Sequence, residues 1–155
     1  MAFAAGDFLT AALLNNTFPT SMDDIQNTAG TTTSAAYVET LTSGTACSGV
    51  FTAPLSGKVI VVSSAQIDNS GAQTSLMSFV IRTGSSIGSG TTFLAASDDD
   101  ALRNIGTDET QDTYVRLVTG LTAGAIYNIR QAFRGSGGTT ATFSRKRLSV
   151  IPVPA

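Results

Sequence analysis

From residue 114 to residue 151, apolar and polar positions alternate in three runs separated by two glycine-rich turns. That pattern predicts an antiparallel meander. In the middle run Tyr127, Ile129 and Phe133 share one parity while Asn128, Arg130 and Arg134 share the other, which predicts a strand with a dry face and a wet, basic face. In the last run Ala141 and Phe143 lie on one parity and Leu148 and Val150 on the other, with Arg145, Lys146 and Arg147 between them. A phase change of one residue is the signature of a β-bulge, and the bulge is expected to turn the basic triplet outward.

Upstream, β-like runs cover residues 36–41, 48–53, 58–66, 75–83 and 92–96, punctuated by Ser43-Gly44, a Pro54-to-Gly57 turn, Asn69-Ser-Gly71 and a loop from Gly84 to Gly90. With the meander they make about eight strands and no competing helical period. The expected fold class is all-β, a jelly-roll-like antiparallel β-sandwich over residues 35–155. Its expected core is Tyr37, Phe51, Val59, Val61, Phe79, Ile81, Phe93, Leu117, Tyr127, Ile129, Phe133, Phe143 and Val150.

Residues 1–34 differ in texture. Thr10 is placed to cap a short helix over residues 11–16 that Pro19 would end, and residues 20–34 are small and polar, reading as a linker or extended arm. A helix of under two turns is not stable alone. Burying Phe3, Phe8, Leu9, Leu13, Leu14 and Phe18 stabilises the arm by about as much as ordering it costs. The arm is therefore expected to be ordered where something covers it. Two covers are open: its own domain, or a partner or neighbouring copy into which it docks.

Length and charge narrow the class. A chain of 155 residues suffices for one domain with its own core, and its single cysteine, Cys47, permits no internal disulfide and reads as a buried thiol. Charged residues are 13% of the chain, against about 25% in an ordinary soluble domain, so the surface suits packing against neighbours. Residues 1–57 hold four acids and no base, and residues 58–155 hold nine bases and seven acids. Net charge is −2 with no long basic run, so no nucleic acid is expected as partner. No run of 18 apolar residues exists, so no membrane partner is expected, and the opening lacks the layout of a secretory signal.

Candidate chemistry is sparse. With no histidine the commonest general base and zinc ligand are missing, and only Lys58 and Lys146 could serve Ser-Lys chemistry. Asp98, Asp99 and Asp100, and Asp108, Glu109 and Asp112, are the carboxylate clusters to weigh for a glycosidase-like pair or calcium, but they lack calcium-loop spacing and read as solvated turns, with Asp98 or Asp99 capping a turn over residues 101–104. The Gly84-to-Gly90 loop lacks the Gly-Lys-Ser/Thr ending of a phosphate loop and reads as a flexible connection. No catalytic residue, metal or cofactor is expected. Arg130, Arg134, Arg145, Lys146 and Arg147 are the densest charge, readable as an ordinary wet face or as a contact with an acidic partner surface.

Three stretches carry a resemblance: the opening Ala5-Gly-Asp-Phe-Leu-Thr-Ala-Ala-Leu-Leu-Asn15; Phe51-Thr-Ala-Pro-Leu-Ser-Gly57 with Ala95-Ala-Ser-Asp-Asp-Asp-Ala-Leu-Arg-Asn-Ile-Gly106; and Thr119-Gly-Leu-Thr-Ala-Gly-Ala-Ile-Tyr-Asn-Ile-Arg130. In this order they resemble small virion proteins of tailed bacteriophages, especially of actinobacteria, of the minor tail or head-decoration kind. The resemblance implies a jelly-roll or tumour-necrosis-factor-like sandwich, commonly trimeric, attached to capsid or tail proteins by its N-terminus. It brings no catalytic residues. The expected function is a non-enzymatic structural protein of the virion whose body reinforces the particle or contacts bacterial surface glycans; the alternative is a carbohydrate-binding module of the same fold.

Overall fold

Ten strands form among the described residues of the computed structural model, which are 21–155 with the exception of 137. They are β1 (Met22–Gln26), β2 (Gly30–Thr32), β3 (Ser48–Thr52), β4 (Val59–Asn69), β5 (Thr74–Thr83), β6 (Thr92–Leu94), β7 (Leu102–Ile105), β8 (Thr110–Val118), β9 (Ile126–Arg134) and β10 (Ala141–Pro152). One 3-10 turn, Asp98–Asp100, is the only helical element among them. The expected helix at 11–16 and arm residues Phe3, Phe8, Leu9, Leu13, Leu14 and Phe18 lie outside the described residues.

The strands make two antiparallel sheets. The first runs β1-β10-β4-β8, with β2 also on β10; the second runs β3-β9-β5-β6, with β7 also on β5. The inward parities of β4, β5, β9 and β10 are buried between the two sheets, which makes the pair a β-sandwich. Phe51, Phe79, Ile81, Tyr127 and Ile129 of the second sheet share one core with Val59, Val61, Val118, Leu148 and Val150 of the first. A second cluster joins Ile67, Ala141 and Phe143 to Met77, Leu102 and Phe133, with the Phe133 and Phe143 rings 4.9 Å apart.

Within this apolar interior sits Gln131, fully buried on the inward parity of β9. Its side-chain oxygen accepts the Cys47 N–H at 3.2 Å, and its nitrogen donates to Ser63 Oγ at 3.1 Å and to the Arg147 carbonyl at 2.9 Å. The amide thus ties β9 to β4 and β10 across the sandwich, and every contact is one that a buried amide needs.

Ten of the thirteen expected core residues are buried: Phe51, Val59, Val61, Phe79, Ile81, Tyr127, Ile129, Phe133, Phe143 and Val150. Three are not. Leu117 is 54% exposed and Val118 is buried instead, because Val118 pairs with inward Val59 and Leu117 with Ile60 on the opposite parity. Phe93 lies on the three-residue edge strand β6 with its ring edge-on to Tyr127, and Tyr37 is only half-buried.

The expected linker at 20–34 contains β1 and β2. Its polar composition conceals an edge strand that pairs along its length with β10, from Met22 opposite Val150 to Gln26 opposite Lys146. The first sheet therefore includes strands from Met22 onward, upstream of residue 35. The run at 36–41 makes a single bridge, Val38 with Phe133, while residues 102–105 form the unexpected strand β7. The expected turn at Pro54 to Gly57 is present: Gly57 has φ 62, donates to the Pro54 carbonyl at 2.9 Å, and a Cβ there would meet the Leu121 carbonyl oxygen at 2.5 Å.

Candidate functional site

The outward face of β9, which β5 extends, was the expected wet, basic face. It is instead roofed by the chain. Leu76, Ser78, Val80, Asn128 and Ala132 all point outward by register, and all are buried.

Asn128 fastens one part of the roof. Its side-chain oxygen accepts the Gly88 N–H at 3.1 Å, and its nitrogen donates to the carbonyls of Gly84 at 3.1 Å and Ser89 at 3.0 Å. The 84–90 loop, expected to be a flexible connection, is therefore held at three backbone points by one amide. Arg130 and Glu39 lie beside Gly88, and Glu39 makes a two-pronged pair with Arg82, one prong at 3.0 Å.

The other part is the acidic turn. Ser97 caps it in position, with the carboxylates on residues 98–100 themselves and β7 following, so the expected turn over 101–104 is a strand. The turn straddles the sheet edge. On the outer side Asp98 pairs with Arg134 at 2.9 Å, and the Arg134 guanidinium lies 5.8 Å from the centre of the Tyr37 ring. The Tyr37 hydroxyl donates to the Ser97 carbonyl at 3.1 Å; burial first, and Asp98 second, push this phenol well above its ordinary range. On the inner side Asp100 pairs with Arg116 and accepts the Tyr114 hydroxyl at 2.8 Å and the Ser97 hydroxyl at 3.0 Å, while its carbonyl accepts Ser78 Oγ at 2.7 Å. These carboxylates are fasteners between strands. Among the described residues no group of carboxylates or cysteine has the arrangement to hold a metal ion.

A shallow cavity of about 160 Å³ opens beside Asp98 and Arg134, completed by Thr74, Leu76, Arg103 and Ser136. It offers two guanidinium groups, one carboxylate and two hydroxyls over a buried leucine floor. That set can bind polar groups and has no side chain suited to acting as a general base at neutral pH other than the paired Asp98.

The expected bulge is present on β10, where the register against β4 slips by one residue between Ser144 and Arg147 and Arg145 takes φ 47. The outward triplet is corrected in one member. Arg145 and Arg147 are exposed, but Lys146 is completely buried. The reason is parity: after the slip Lys146 falls in step with inward Leu148 and Val150. Its ammonium donates to the carbonyls of Thr28 at 2.6 Å and Phe143 at 3.2 Å, and burial lowers its proton affinity. Lys146 thus secures the connection between β1 and β2 and is no surface contact.

Of the five basic residues singled out, Arg134 is spent on Asp98, Lys146 is interior, Arg130 is half-buried beside the 84–90 loop, and Arg145 and Arg147 are exposed. Cys47 is buried as expected, and burial first, then Asp24, push its thiol up to about 12, which leaves it protonated at neutral pH. Sequence reasoning missed Asn128 and Gln131; an amide at an inward position, or between two arginines on an outward one, was the available signal. No protein-family model matches the chain, and no curated protein matches it either.

Proposed function

We propose that the chain is a non-enzymatic structural protein of a phage virion, decorating the capsid or belonging to the tail, attached by its N-terminal arm and projecting the sandwich outward as a trimer. The sandwich in this reading is a jelly roll: the order β1-β10-β4-β8 over β3-β9-β5-β6 supports it, since the chain crosses between the sheets at every step from β2 to β5 and from β7 to β10. One observation carries the functional reading. Three ion pairs, Arg82 with Glu39, Arg134 with Asp98 and Arg116 with Asp100, brace the sandwich from within, whereas the outer face of β10, β4 and β8 exposes the apolar side chains Ile151, Leu117 and Val115. A protein whose polar groups brace its own walls and whose apolar groups face outward is made for packing against other proteins. In this reading Arg145 and Arg147 supply the charged contact with a neighbour.

The test is attachment. Deleting residues 1–20 leaves every described strand in place and is expected to abolish co-sedimentation with phage particles, while the full chain is found on them by antibody labelling; a truncated chain that still decorates particles overturns the docking arm. A carbohydrate-binding module is the second reading, favoured by the cavity at Asp98, Arg103 and Arg134. Retention of the isolated protein on a glycan array, lost in Arg103→Ala, would bring that reading forward.

A further inference from the structure

On the outer face of the first sheet, Ile151, Ile60 and Leu117 are direct neighbours across β10, β4 and β8, and Val62 and Val115 form the next row. Val115, Leu117 and Ile151 are 58%, 54% and 43% exposed, and Ile60 and Val62 are half-buried. This is a continuous apolar stripe across three strands, and no described segment buries it.

We propose that residues 1–20 of the same chain occupy this stripe in the free protein. Position is the first argument. β1 runs antiparallel to β10 with Met22 opposite Val150, so the chain preceding Met22 leaves the sheet beside Ile151, where the stripe begins. Reach is the second. From β10 across β4 to β8 is about 10 Å, two strand spacings, and twenty residues span about 30 Å even if wound as a helix. Composition is the third. The segment carries Phe3, Phe8, Leu9, Leu13, Leu14 and Phe18 against one charge, Asp7, and cannot bury these residues against itself.

Size separates this occupant from a second copy. Five partly exposed aliphatic side chains offer roughly a few hundred Å², whereas a stable interface between two proteins takes about 800 Å² from each. Nor does the neighbouring edge invite strand addition: Asp112 and Arg116 place charges on the inward parity of β8, a device that discourages edge pairing. The inference concerns the free chain and stands apart from the particle reading. If both hold, attachment requires the segment to exchange the stripe for the particle.

The test uses the full chain. Leu117→Cys places a reporter thiol in the stripe, and native Cys47 is completely buried and silent. Maleimide labelling of this variant is compared with labelling of the same variant carrying Leu13→Asp and Leu14→Asp, at concentrations where light scattering returns a monomer. The proposal expects labelling at least ten times faster in the second protein. Equal rates in two folded monomers overturn it. Protection that grows with concentration and accompanies an oligomer also overturns it, by assigning the stripe to another copy. Val115→Cys repeats the measurement should Leu117→Cys disturb the fold.

Discussion

The outer faces of the two sheets start from similar strand chemistry and end differently. On β5 and β9 the outward residues Leu76, Ser78, Val80, Asn128 and Ala132 are buried under loops that the chain fastens with its own amides and ion pairs. On β10, β4 and β8 the corresponding positions Ile151, Ile60 and Leu117 carry no roof among the described residues. The difference teaches how outward arginines are to be read here. Arg82 and Arg134 hold cover in place, and the face without such fasteners is left bare by the described residues.

The comparison breaks hardest at Asn128. Asn128→Ala removes three hydrogen bonds from a buried position and is expected to cost about 3 kcal/mol, read from urea melts, with hydrogen exchange at the Gly88 amide rising most. An unchanged melt would mean that the roof is not held there.

A pH series isolates the core that both faces share. Cys47 titrates near 12 when folded and lower when unfolded, so its contribution is complete below about 9 and is lost as pH rises from there. Lys146 acts in the opposite sense. Its folded proton affinity is depressed, so the unfolded chain binds more protons and stability from this group rises with pH up to the ordinary lysine value. Cys47→Ala is therefore expected to recover up to about 1 kcal/mol at pH 10 relative to pH 8. Lys146→Met is expected to steepen the alkaline fall, and parallel curves for all three proteins would contradict both assignments.

The Asp98–Arg134 pair is half open to water, so Asp98→Ala is expected to cost only about 0.5 kcal/mol, measurably less in high salt. Smallest in stability is Leu117→Thr on the bare face, within about 0.5 kcal/mol of the parent. Its effect is expected instead in adhesion, as reduced binding of a hydrophobic dye by a chain whose segment carries Leu13→Asp and Leu14→Asp.

Much of the sandwich was legible because one buried face imposes a period of two. β4, β5, β9 and β10 carry that period over nine to twelve residues, long enough for the pattern to exceed chance. β1, β2 and β7 were not legible: they are three to five residues long, polar or mixed, and exist because a neighbouring strand offers backbone partners. Lys146 shows a third case. The parity that places Leu148 and Val150 inside also places Lys146 inside, but its charge argued for water, and only the carbonyls of Thr28 and Phe143, supplied by β10 and a connection 118 positions away, reverse that preference.

The sequence by itself determined an all-β chain, the inward parity of its long strands, the bulge in β10 and the buried state of Cys47, because these follow from local periodicity and the cost of wetting apolar groups. Tertiary structure alone decided which outward face is covered. Asn128 and Arg134 become fasteners only when residues 84–90 and 97–100 fold back over β9, and Leu117 and Ile151 become one stripe only when β8, β4 and β10 lie side by side. Such pairings join residues tens of positions apart, and no pattern along the chain encodes which of them will meet.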